Sequence, residues 1–304
     1  MAKKNAYLFV HFIGEQKDGE QIYFSLSKDG FHWEDVNQGK PVLYSKMCEE
    51  GVRDPFIIYS PIDEHYYIIA TDLCIYKGKG WQVAQYEGSR NIILWKSKDL
   101  LHWGEPWVVE IGIPSAGCVW APEAIYDQKN DNFLVFFASM VKEEEDLVPK
   151  QRIYAVRTKD FKSYSTVEKY IERENHVIDT TMIYSEGKYY RFSKDETTKK
   201  ILFEMSDTLD CDGFITLSST TLDNLYGVEG PQIFAIDGED KGYCLIVDRF
   251  AEGKGYLPLF TRALQEDFRI LHENEYDMGS TKKRHGSVIA ITQEEYKNIK
   301  ELIK

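Results

Sequence analysis

The chain has 304 residues, 43% of them hydrophobic and 14% aromatic, and its 50 Asp and Glu against 37 Lys and Arg give a formal charge of −13. That composition supplies a core and excludes extended disorder, while the acidic field excludes nucleic acid as a partner; Lys282-Lys283-Arg284 and Lys199-Lys200 are short basic runs of the kind found on solvated turns. Cys48, Cys74, Cys118, Cys211 and Cys244 form no C-x-x-C pair and leave an odd count, which argues against a zinc ribbon or a disulfide framework and fits a reducing compartment.

Along the chain, residues 7–13 and 21–27 read as strands. The first follows two lysines, is interrupted by His11 and lacks a small-residue cleavage site, so it is expected to be a strand and not a leader. No stretch reaches the 18 apolar residues of a membrane span, and a cytoplasmic location is expected. Four hairpins follow, pairing 56–59 with 65–71, 124–126 with 133–139, 182–184 with 188–193, and 232–236 with 242–248. Third strands are expected at 92–97, 152–158, 201–206 and 256–262, a last strand at 285–292, and a short helix from 294 to 304.

Two repeats organise these elements. Ser27-Lys28-Asp29, Ser97-Lys98-Asp99 and Thr158-Lys159-Asp160 each end a strand, and an aromatic (Trp33, Trp103 or Tyr164) stands four residues after the aspartate; Ser206-Asp207 is a degenerate copy. An aspartate in such a turn caps backbone amides two residues on while the aromatic packs back on the sheet. The second repeat puts a charged residue or His before an apolar run: Arg53-Asp54-Pro55, Ala121-Pro122-Glu123, Ile178-Asp179-Thr180, Val228-Glu229-Gly230-Pro231 and Arg284-His285-Gly286. Their separations of 69, 56, 50 and 56 residues match a four-stranded blade with its connections. The expected fold is therefore all-β: one five-bladed β-propeller domain over 1–304, its last blade closed by N- and C-terminal strands.

If each polar segment starts an inner strand, all five meet at one mouth of the channel. A lone aspartate there is ordinarily a strand cap or an Asp-Pro turn, whereas three converging acids point to acid–base chemistry. The five segments, with Trp120 before Ala121-Pro122-Glu123 and Ser287-Val288 after Gly286, resemble glycoside hydrolase family 43 in order and spacing over roughly 45–292. The resemblance implies an inverting, exo-acting hydrolase of plant-type oligosaccharides, with α-L-arabinofuranosidase the first expectation. β-Xylosidase, galactofuranosidase or galactosidase, and a non-catalytic carbohydrate-binding propeller are the alternatives. It implies Asp54 as general base, Asp179 as the carboxylate that tunes and orients the acid, and Glu229 as general acid; independently, clustering the three acids in one channel is expected to raise the acid's pKa.

The second segment departs from the family by ending in Glu123 where Asp is usual, so Glu123 is expected to line the pocket wall. Arg53 and Trp120 belong to the carrying segments and are substrate-binding candidates. His285 is expected to face the channel, contacting water or, through water, a structural calcium ion; a satisfied buried histidine is the alternative. Arg249 resembles an arginine that binds sugar hydroxyls, or else pairs with Asp248. Trp81 and Tyr86, in the long insertion 73–90, could stack with Trp120 on a sugar face. No other cofactor is expected. No P-loop, H-E-x-x-H or G-x-S-x-G motif occurs.

Overall fold

The computed structural model describes residues 3–238 and 241–303. These form five four-stranded antiparallel sheets. One blade combines β1 (Lys4–Phe12), β2 (Tyr23–Ser27) and β3 (Trp33–Asp35) with the last strand of the chain. The next holds β4 (Val52–Ser60), β5 (His65–Asp72), β6 (Asn91–Ser97) and β7 (Trp107–Glu110), with helix α1 (Trp81–Tyr86) between β5 and β6. The third holds β8 (Trp120–Asp127), β9 (Asn132–Val141), β10 (Lys150–Thr158) and β11 (Glu168–Ile171). The fourth holds β12 (Val177–Ser185), β13 (Lys188–Asp195), β14 (Lys200–Ser206) and β15 (Ile215–Thr216). Helix α2 (Thr220–Asn224) leads to the fifth blade, β16 (Glu229–Ile236), β17 (Gly242–Asp248), β18 (Tyr256–Thr261) and β19 (Arg269–Ile270). Finally β20 (Arg284–Thr292) pairs with β1 and helix α3 (Gln293–Leu302) packs beside them.

The ring is thus closed by the two chain ends, as expected. In the closing blade β1 and β2 are the second and third strands, and β3 is an outermost strand absent from the sequence reading. The expected turn at 237–241 includes residues 239 and 240, and the expected helix runs to 304; those three positions lie outside the described residues.

Middle strands are apolar on both faces because each blade packs against two neighbours. On β5, Tyr66, Ile68 and Ala70 join the core shared with β1 and β2, whereas Tyr67 and Ile69 join the core shared with β9 and β10. Three further cores fill the remaining blade interfaces in the same way. The aspartate turns behave as read. Asp29, Asp99 and Asp160 each accept from the amides two and three residues on at 2.8–2.9 Å, and the preceding Ser or Thr hydroxyl accepts from the amide between them. Asp207 makes no such turn and pairs with Lys188 instead.

The feature that builds the site is a β-bulge near the start of an inner strand, present on β4, β8, β12 and β16. At each bulge one residue takes a left-handed conformation: Asp54 (φ 49°), Ala121 (45°), Asp179 (48°) and Gly230 (51°). A bulge bends the strand and re-aims its side chains toward the channel mouth. Non-glycine residues hold that backbone only where the surroundings enforce it, at a cost of about 1–3 kcal/mol.

Candidate active site

The bulge explains why the acids do not sit at equivalent positions. Asp54 and Asp179 occupy the left-handed residue itself, Glu229 stands one before it, and Glu123 two after. Gly230 is required at its bulge, since a Cβ there would lie 2.8 Å from the imidazole of His285.

Asp54, Asp179, Glu229 and His285 open together into one cleft of about 280 Å³, walled further by Phe12, Arg53, Trp81, Trp120 and Lys194. This is the small end of the range for ligand sites, suited to a single sugar ring. His285 lies among three carboxylates: Nδ1 is 3.5 Å from Asp54 Oδ1 and 3.8 Å from Asp179 Oδ1, and Nε2 is 3.9 Å from Glu123 Oε1. These contacts are too long for hydrogen bonds and act through charge. Burial opposes protonation of the imidazole, but Asp179, Asp54 and Glu123 outweigh it and hold the pKa well above the ordinary histidine value. The three carboxylates thus favour the protonated form of His285.

The carboxylates answer differently to the same burial. Burial pushes Asp54 up, but His285, Arg53 and the Thr71 hydroxyl, which donates to Oδ2 at 3.0 Å, bring the net direction down. Burial pushes Asp179 up to about 6 despite His285 and Lys194, with Glu229 and Asp54 adding to the rise. Glu123 is pushed up to about 7, again chiefly by burial. The neighbours thus keep Asp54 ionised at neutral pH, while Glu123, pushed up furthest, lies closest to its protonated form.

Glu229 stands apart. Lys194 Nζ donates to its Oε2 at 2.9 Å and Arg284 Nη2 to its Oε1 at 2.8 Å. Burial pushes the carboxyl up, yet Lys194 and Arg284 outweigh it and the net direction is down. Clustering thus does not raise the pKa of Glu229, contrary to the sequence expectation, because two cations absent from that reading clamp it.

Of the remaining candidates, Trp81 and Trp120 line the cleft edge-to-face, with ring centroids 6.0 Å apart. Arg53 also lines it, but its guanidinium is committed to Glu20 at 2.8 Å and lies over the rings of Phe12 and Trp81. Glu123 is 3% exposed and lies beneath the cleft, not in its wall. Tyr86 is on α1 but outside the lining. Arg249 is corrected on both counts: it donates to the carbonyls of Gly255, Lys254 and Tyr256, bracing its own loop, and Asp248 pairs with Arg284. Lys194 and Arg284 were missed as functional residues. Lys194 is the penultimate residue of β13 with no motif around it, whereas Arg284 stood inside a carrying segment.

The calcium ion implied by the resemblance would be reached from His285 through water; direct ligation by the ring is the stricter case. Among the described residues no group of three or more His, Cys, Asp and Glu is arranged to hold an ion. Both imidazole nitrogens face carboxylates, Nδ1 toward Asp54 and Nε2 toward Glu123, and the charge of those carboxylates favours a protonated ring over a metal ligand. These residues do not fit a calcium ion bound directly by His285.

Fold and cleft together define a propeller glycoside hydrolase, in which acids from three inner strands face one sugar-sized space. The chain belongs to the family 43-related glycosyl hydrolases: the family described as "probable glycosyl hydrolase domain" matches residues 3–297. It is 29% identical over 297 residues to an α-L-arabinofuranosidase of Bifidobacterium longum subsp. longum, a match covering 83% of this chain and 28% of that protein. The chain thus spans little more than a quarter of that relative. The fold is shared with a family 62 α-L-arabinofuranosidase catalytic domain from Coprinopsis cinerea (TM-score 0.55, 13% identity, 81% of this chain and 76% of that one). It is shared also with a family 43 β-1,3-galactosidase solved with galactodeoxynojirimycin (TM-score 0.59, 11% identity, 94% and 93%). The five inner-strand segments carried the family. Among the described residues no helix is long and apolar enough to cross a membrane.

Proposed function

We propose that the chain is an inverting, exo-acting glycoside hydrolase that removes single α-L-arabinofuranosyl units from the non-reducing ends of oligosaccharides. The observation that carries the reading is the junction of Asp54, Asp179 and Glu229 in one cleft sized for one ring. Asp54, kept ionised by its neighbours, takes a proton from water as the water attacks the anomeric carbon. Glu229 gives a proton to the departing oxygen as the glycosidic C–O bond breaks, leaving a free sugar of inverted configuration and a shortened chain with a new hydroxyl. Asp179 accepts from the Gly230 amide at 3.0 Å and so fixes the bulge that carries Glu229. Trp81, 47% exposed at the rim, offers a ring face to the sugar.

The arabinofuranosyl preference is supported by the Bifidobacterium relative. A screen of nitrophenyl α-L-arabinofuranoside, β-xyloside, β-galactofuranoside and β-galactoside tests it, with the arabinofuranoside expected to turn over fastest. Proton NMR of the first product reads the stereochemistry. Inversion requires Asp54 and Glu229 to hold a water between them, about 6.5–9.5 Å apart, and a retained anomer would overturn the mechanism.

A further inference from the structure

Glu229, read above as the proton donor, has no free oxygen: Lys194 holds one and Arg284 the other. A carboxyl clamped in this way cannot carry a proton toward a glycosidic oxygen until one cation lets go. The two clamps are not equally firm. Arg284 is a planar fork tied through Nε to Asp248, which is itself fully buried. Lys194 is an ammonium on a flexible stem, 2% exposed in its side chain, with Glu196 at 2.6 Å and the ring of Phe250 at 4.3 Å as its other partners. Lys194 and Glu196 both line the cleft, whereas Asp248 does not.

We propose that Lys194 gates the proton of Glu229: a sugar seated in the cleft takes over the ammonium's hydrogen bond through its hydroxyls, and Glu229 Oε2 is freed to hold the proton given to the leaving oxygen. Lys194 is a positioning residue in this scheme, and the inference rests on Glu229 being the acid. The charged groups facing Glu229 are Lys194 from β13, Arg284 and His285 from β20, Asp179 from β12 and Asp248 from β17, with Glu196 behind Lys194. Of these, Lys194 is the cation that both touches Glu229 and lines the cleft. Binding of the correct sugar would thereby charge the acid, and an empty cleft would hold it discharged.

The pH dependence of the two kinetic constants tests this, because kcat/KM reports ionisations of the free enzyme and kcat those of the enzyme–substrate complex. In the unaltered protein the basic limb of kcat is expected at least about one pH unit above that of kcat/KM, the shift expected when a neighbouring cation withdraws from a carboxyl. Lys194→Met should raise the kcat/KM limb to meet the kcat limb, and Lys194→Arg, which keeps a cation, should preserve the split. Coincident limbs in the unaltered protein would overturn the gate without any variant having to fold, as would a Lys194→Met limb that stays put. Glu229→Gln, assayed on good and poor leaving groups, separates the two ideas. A loss independent of leaving group removes the acid assignment itself, whereas a leaving-group-dependent loss with no limb split removes only the role of Lys194.

Discussion

The two walls of the cleft handle charge in opposite ways. Around His285 three carboxylates share one cation, whereas Glu229 lies between two cations. The first wall pushes Asp179 and Glu123 toward their protonated forms and the second pulls Glu229 the other way, with Asp179 and Glu123 buried and Asp54 and Glu229 half-buried. Burial alone would push every one of them up. What separates them is the local count of cations, and residue type says nothing about which acid carries the proton.

The largest effects should come from removing the two acids that the walls hold ionised. Asp54→Asn is expected to lower kcat by about 10²–10⁴-fold on every substrate, since water then lacks its base. Added azide should restore turnover with inverted product. Glu229→Gln should fall as far on unactivated glycosides but much less on dinitrophenyl glycosides, whose leaving groups need little protonation. Parallel kinetics on both substrate classes check the pair. Equal behaviour of the two variants would mean that the walls do not divide the work between base and acid.

Much of this was legible in the sequence, for a physical reason. Blade strands recur at blade-length intervals of 50 to 69 residues, and the start of each inner strand faces the channel mouth, so Asp54, Asp179, Glu229 and His285 could be placed together from spacing. The aspartate turns were legible because their hydrogen bonds are local. The clamp was not, because Lys194 reaches Glu229 from the second strand of another blade, a contact set by tertiary packing and marked by no local pattern. Arg249 misled for the same reason: adjacency to Asp248 suggested a pair, yet Arg249 lies past the end of β17 and turns to the carbonyls of its own loop, and the cation that reaches Asp248 comes from β20.

A smaller effect tests the proton-rich wall through stability. Glu123 is pushed from an ordinary 4.5 up to about 7, so the folded protein binds this proton more tightly than the unfolded chain. Its contribution to stability is present in full below 4.5 and is lost as pH rises to about 7; for Asp54 and Glu229, pushed down, the contribution is present above the ordinary carboxyl range and lost on acidification. Urea unfolding at pH 5 and pH 8 should therefore show the protein weaker at pH 8, and Glu123→Gln should shrink that difference by about 1–3 kcal/mol. An unchanged difference would mean that Glu123 shares its charge with His285 without holding the proton.

The smallest effect concerns what joins the walls. The Tyr256 hydroxyl, fully buried, donates to the carbonyl of Gly230 at 3.1 Å and accepts from the amide of Gly286 at 3.1 Å. One oxygen thus ties the bulge beside Glu229 to the strand start that carries Arg284 and His285. Tyr256→Phe keeps the ring, which packs edge-to-face on Phe9, and leaves both backbone groups without a partner. The cost expected in urea unfolding is about 1–3 kcal/mol. Because Glu229 keeps Lys194 and Arg284, and Asp54 keeps Thr71, kcat/KM should stay within about tenfold of the unaltered protein, a barrier change of about 1.4 kcal/mol or less. A far larger loss of activity at little cost in stability would show that the spacing between the walls, and not only the charge on each, is set by this single hydroxyl.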